Sequence, residues 1–221
     1  METTQVFLIL HIAGGMLGLI SGFLNSVNPK GTSKHRFIGK IYVTAMFCAT
    51  LSGVLLAFLK DNQFLFLIGV FSFYLCFSGW RVLKYQETNS YSVHVLDYTI
   101  ALITVVFSVF MVVSGVNFKP NGAINFNPVL VIFGLGGLFI SIADLWKFYN
   151  ASRVGSVRFT WLYTHVGRMG GSYISAVTAF IVVNVDFLPP LVLWLGPSLI
   201  GTIFISSSIR RLKIKHKAIN L

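Results

Sequence analysis

The chain has 221 residues, of which 55% are hydrophobic and 10% charged, and it carries a formal net charge of +11. Soluble domains hold about 25% charged residues, so this balance, with a mean hydropathy of +0.79, excludes an ordinary water-soluble fold. It also argues against nucleic acid as a partner, because the basic residues fall in short gaps between apolar runs and not on one wettable face.

The first apolar run, Val6 to Leu24, has no Lys or Arg before it and no small-residue cleavage pattern. It therefore predicts a retained membrane span and not a removable signal peptide. Six more runs follow at about Phe37 to Leu59, Phe64 to Leu83, Tyr91 to Ser114, Pro128 to Phe148, Thr160 to Val183 and Leu188 to Arg210. Each reaches the roughly 20 residues a helix needs to cross about 30 Å of hydrocarbon. Asn28-Pro29 and Gly31, Lys119-Pro120-Asn121-Gly122, and Pro189-Pro190 supply breakers between runs. The fold class these runs predict is all-α, a polytopic bundle of seven transmembrane helices forming one domain over the whole chain.

Two helices carry a stripe of small residues: Gly14, Gly18 and Gly22 on the first, Gly134, Gly137 and Ser141 on the fifth. Such stripes let helices approach closely and are expected to serve packing within the chain. Cys48 and Cys76 both lie inside apolar runs, so neither a disulfide framework nor a CxxC site is available. They read as small packing residues.

Orientation follows from the basic residues. With the N-terminus outside, Lys30, Lys34, Arg36, Lys40, Arg81, Lys84, Lys147, Arg153, Arg158, Arg210, Arg211, Lys213, Lys215 and Lys217 face the cytoplasm. Only Lys60 and Lys119 lie outside, and Arg168 falls within the sixth span. This positive-inside bias predicts an external N-terminus and a cytoplasmic C-terminus, with anionic lipid headgroups as counter-ions.

A charge inside the bilayer costs about 2.5 to 3.5 kcal/mol on insertion scales, so the few such residues are informative. Asp97, Asp144 and Arg168 are each expected one or two turns from the cytoplasmic end of spans four, five and six. His94 precedes Asp97 by three residues and His165 precedes Arg168 by three, a spacing that puts each pair on one helical face. A cytoplasm-facing pocket of His94, Asp97, Asp144, His165 and Arg168 is the candidate site, with His35 at its mouth.

Several chemistries suit that set. His94 and His165 could be the axial ligands of a b-type haem, with Arg168 meeting a propionate. The same imidazoles with Asp97 or Asp144 could hold a divalent metal such as zinc, which would fit a lipid-modifying enzyme. A proton-coupled carrier would use the aspartates as a relay, but the outer half of span four offers only Thr99, Thr104 and Ser108 as polar steps. An ion pair that fixes helix register, in a non-catalytic subunit of a membrane complex, remains the structural alternative. His11, in the outer half of the first span, reads as a histidine hydrogen-bonded into a small-residue groove. A retinal protein is excluded by the absence of a lysine before the cytoplasmic end of the seventh span.

Three segments carry a family likeness: His11 with Gly14-Gly15, the run from Lys30 to Tyr42 containing His35-Arg36, and the run His165-Val166-Gly167-Arg168-Met169-Gly170-Gly171. They resemble a family of bacterial integral-membrane proteins that has no assigned activity. The resemblance implies a bacterial inner membrane and directs attention to His35, Arg36, His165 and Arg168, but supplies no reaction.

Overall fold

The computed structural model describes residues 3–84, 93–118, 124–150 and 159–219. Among them are seven long helices: α1 (Thr3–Val27), α2 (Ser33–Leu59), α3 (Gln63–Arg81), α4 (Val95–Gly115), α5 (Pro128–Tyr149), α6 (Thr160–Asn184) and α7 (Pro190–Ile219). Every one contains a stretch long and apolar enough to cross a membrane. The chain is therefore an all-α protein of multi-pass membrane character. Exposed side chains such as Phe139, Val106 and Phe204, all at least 65% accessible, make sense only with hydrocarbon as the solvent.

Boundaries differ from the hydropathy pattern by several residues: α1 and α2 already begin at Thr3 and Ser33, and two further ends bear on the candidate residues. Val93 and His94 are not helical, and α4 begins at Val95. At the other end of the chain α7 continues past Arg210 to Ile219, since Arg211 to Ile219 contains no Gly or Pro to stop it. The connector after α4 also carries a small antiparallel ladder, β1 (Val116–Phe118) with β2 (Ile124–Phe126), which pairs Val116 with Phe126.

Local signals account for the helix starts. Thr32 caps α2, its hydroxyl accepting from His35 N at 3.2 Å. Asn127 caps α5, its side-chain oxygen accepting from Val129 N and Leu130 N, while Pro128 sits at the first turn where its missing N–H costs nothing. Lys30 curls back so that its ammonium donates to Asn25 O and to Ser26 O at 2.7 Å, satisfying carbonyls at the end of α1. Partial burial there pulls the Lys30 ammonium below the usual lysine range.

The chain divides into two compact units, the boundary falling inside α3 between Tyr74 and Leu75. The first holds α1, α2, the start of α3, α4 and α5; the second holds the end of α3, α6 and α7. In the first unit the small-residue stripes pack within the chain. A Cβ on Gly14 would meet the backbone of Ala45 and Ala49 at 2.9 Å, and one on Gly134 would meet Ser108 O at 3.0 Å. Leu67, Met111 and Leu130 form a buried cluster with Phe64, Phe66 and Phe107 around it, and the rings of Phe66 and Phe107 meet edge to face at 5.4 Å.

Several buried Ser and Thr hydroxyls are absorbed by their own helices. Thr50, Ser52, Ser72, Thr104 and Ser141 each donate to the carbonyl four residues earlier. Thr99 does the same toward Val95 O at 3.0 Å. Such back-bonding satisfies a hydroxyl without a partner helix.

Candidate functional site

The five residues of the expected pocket are shared between the two units: His94, Asp97 and Asp144 in the first, His165 and Arg168 in the second. In the first unit, His94 is the exposed residue just before α4, and Asp97 is buried in its first turn. The carboxylate of Asp97 accepts from His94 N at 2.9 Å, so it closes the start of its own helix, where an acidic group also meets the positive end of the helix dipole. His94 is the N-cap of α4 and Asp97 the third residue of the helix, so the pair keeps its i, i+3 relation across the helix start rather than within the helix.

Asp144 is 5% exposed near the end of α5. The hydroxyl of Tyr74 on α3 donates to its Oδ2 at 2.8 Å, in buried surroundings. Lys147, one turn further along α5, brings its ammonium to 3.7 Å from Oδ1. The carboxylate thus takes one hydrogen bond from the phenol and an ion pair from the ammonium. Sequence reasoning passed over Tyr74 because a tyrosine in an apolar run looks like packing and its partner lies 70 residues away.

His35 occupies the first turn of α2, half-buried. Asn25 near the end of α1 lies against it, and in the amide orientation that satisfies both sides Asn25 donates to His35 Nδ1 at 3.2 Å and accepts from Gly39 N at 3.3 Å. Arg36 is exposed and donates to Gly31 O at 3.2 Å. His11 bonds through Nδ1 to Ala49 O on α2 at 2.8 Å, as a histidine set in a small-residue groove should. Gly53 makes room for it, since a Cβ there would lie 2.9 Å from His11 Nδ1.

In the second unit, His165 on α6 bonds through Nδ1 to Gly79 O on α3 at 2.8 Å. A carbonyl can only accept, so Nδ1 carries the proton and Nε2 keeps a lone pair. Arg168, one turn along α6, is 8% exposed. The two helices touch here: a Cβ on Gly79 would stand 2.8 Å from Arg168 Cβ and from Met169 Sδ. Gly79 thus sets the distance at which its own carbonyl meets the imidazole.

The same unit holds a cluster outside the expected pocket. Near the end of α7, His216 stacks on Phe159 with ring centroids 3.8 Å apart, and its Nδ1 lies 3.0 Å from the hydroxyl of Tyr163. Lys213 sits over the Tyr163 ring at 5.5 Å. Reading the basic tail as topology alone concealed this arrangement; the i, i+3 spacing of Lys213 and His216 on a helix with no stop signal was the available clue.

Among the described residues, no three His, Cys, Asp or Glu side chains come together as a metal ion would need. No protein-family model, curated protein or solved structure matches the chain.

Proposed function

We propose that the chain is a multi-pass protein of a bacterial inner membrane, N-terminus outside and C-terminus cytoplasmic, that binds a haem-type cofactor through His165. The observation that carries the cofactor is the bond from His165 Nδ1 to Gly79 O at 2.8 Å. Histidines that ligate a metal characteristically donate their other ring N–H to a carbonyl or carboxylate, which fixes the tautomer and aims the lone pair of Nε2.

Haem fits the described donors better than zinc. A protein-only zinc site takes three or four protein ligands, whereas a porphyrin supplies four of its iron's ligands and asks one or two of the protein. The carboxylates of Asp97 and Asp144 are engaged by His94 N and by Tyr74 with Lys147, and so are not among the ligands proposed. Arg168, on the next turn of α6 and buried, is suited to an anionic group such as a propionate. When bound, haem would supply one-electron chemistry.

The test is a visible spectrum and metal analysis of the protein purified in mild detergent, for the wild type, His165→Ala and His165→Asn. Asparagine can place an amide nitrogen near the position of Nδ1 but has nothing at Nε2. A Soret band present in the wild type and lost in both variants, with the Asn variant still folded, supports the proposal. A colourless, iron-free wild type prepared from haem-supplied cells overturns it. Reporter fusions at the two termini check the orientation separately.

A further inference from the structure

In the second unit, α6 and α7 pack antiparallel along a seam that can be followed by residue. A Cβ on Gly201 would run into Ile174, one on Gly170 would meet Ile205 Cδ1 at 2.7 Å, and one on Gly167 would lie 3.8 Å from Ile209 Cδ1. Isoleucines thus fill positions opened by glycines over most of its length. At the end where α6 begins and α7 finishes the chemistry changes: Tyr163 faces Lys213 and His216, and Phe159 faces His216.

Three features of that end suit an anion. The Tyr163 hydroxyl meets the His216 imidazole at 3.0 Å and the Lys213 ammonium lies over the face of the same Tyr163 ring at 5.5 Å, and among the described residues no acidic side chain follows Asp186 in the chain. Arg210, Arg211, Lys213 and Lys215 are all exposed on the last turns of α7. Phe159 precedes α6 with φ 76° and no side-chain cap; its carbonyl accepts from Leu162 N and Tyr163 N, and the N–H groups of Thr160 and Trp161 lie at the same end. The depth is also appropriate. The 30 residues of α7 run about 45 Å, more than the roughly 30 Å of hydrocarbon, so its last turns reach the headgroup layer.

We propose that Tyr163, Lys213 and His216 form a binding site for the phosphate of an anionic phospholipid headgroup. Lys213 supplies the charge; with the Tyr163 hydroxyl given to His216 Nδ1, the imidazole donates to the phosphate through Nε2, and Phe159 holds the ring by stacking. The proposal deepens the membrane reading given above, since it concerns the lipid that reading requires. It does not depend on which side of the membrane is cytoplasmic.

The full chain, delipidated in detergent, is titrated with short-chain phosphatidylglycerol or phosphatidylcholine, and bound lipid is counted by native mass spectrometry. Wild type should prefer phosphatidylglycerol about tenfold. Lys213→Ala should lose about fivefold, the usual contribution of one cation near an anionic surface, and Tyr163→Phe, which preserves the ring, should lose a smaller factor. Lys215→Ala is the control: it is about 200° round the helix from Lys213 and should change nothing beyond twofold. Equal losses in Lys215→Ala and Lys213→Ala, or no preference for phosphatidylglycerol, overturn the proposal in favour of diffuse surface charge. Displacement of the lipid by millimolar glycerol 3-phosphate would support the phosphate site but assign it to a soluble ligand, overturning the lipid as its source. Reporter fusions read orientation independently, so failure of the headgroup site and failure of the topology are distinguishable.

Discussion

His11 and His165 make the same hydrogen bond in different company. Each uses Nδ1 against a backbone carbonyl of a neighbouring helix at 2.8 Å, and each lies where that helix carries a glycine, Gly53 for one and Gly79 for the other. Around His11 the packing is of small, uncharged groups, with Gly14 against the backbone of α2 and Cys48 directing its thiol to Leu10 O. Around His165 the same glycine contact brings in Arg168, a buried cation one turn along. The carbonyl bond fixes a tautomer in both places. Only where a charge accompanies it does the bond point to a ligand beyond helix packing.

The comparison breaks first at the glycines. Gly14→Val, whose side chain would press on backbone that cannot turn aside, should lower stability by about 3 kcal/mol or more, read as a large drop in thermal unfolding temperature in detergent. Gly15→Ala, one residue on and with nothing within 4 Å, should be neutral or slightly stabilising. Gly79→Ala should cost about 2 kcal/mol and, unlike Gly14→Val, should alter the haem spectrum, because it shifts the carbonyl that orients His165. Next in size is Tyr74→Phe, which takes a donor from the buried Asp144 and should cost about 1–3 kcal/mol; Asp144→Asn in the same background should recover part of it.

The smallest effect sharpens the comparison most. His11→Ala and His165→Ala should each cost about 0.6 kcal/mol, the average for a hydrogen bond between membrane helices, and the Asn variants should restore most of it in both places. Haem content should follow position 165 and ignore position 11. If His11→Asn also bleaches the protein, the distinction between the two histidines is wrong.

Much of this molecule could be read in advance, for identifiable reasons. Hydropathy records what lipid tolerates, so all seven spans were legible, and the runs from Pro128 and Thr160 start where α5 and α6 start. The same measure does not record where a helix ends: Arg211 to Lys217 are too polar for hydrocarbon yet helical, and His94 sits in a continuing pattern but outside the helix. Of the residues the intramembrane charges singled out, Asp97, Asp144 and Arg168 are buried, His165 is half-buried and His94 is exposed. Their partners were not legible. Asp97 turns to a backbone N–H three residues back, while Tyr74 and Gly79 contribute a hydroxyl and a carbonyl across gaps that periodicity does not bridge.

The order in which contacts become available has a consequence for assembly. α1 with α2, α4 with α5, and α6 with α7 are hairpins of consecutive helices, whose closest pairings form between neighbours in the chain, so each can pair as soon as its second helix is inserted. α3 is different. Its Tyr74 waits for Asp144 on α5, and its Gly79 waits for His165 on α6, both made later during synthesis. The third helix therefore waits for two later hairpins, and a chain stopped after α5 would already hold Asp144 in place while leaving Gly79 without the imidazole it receives from α6.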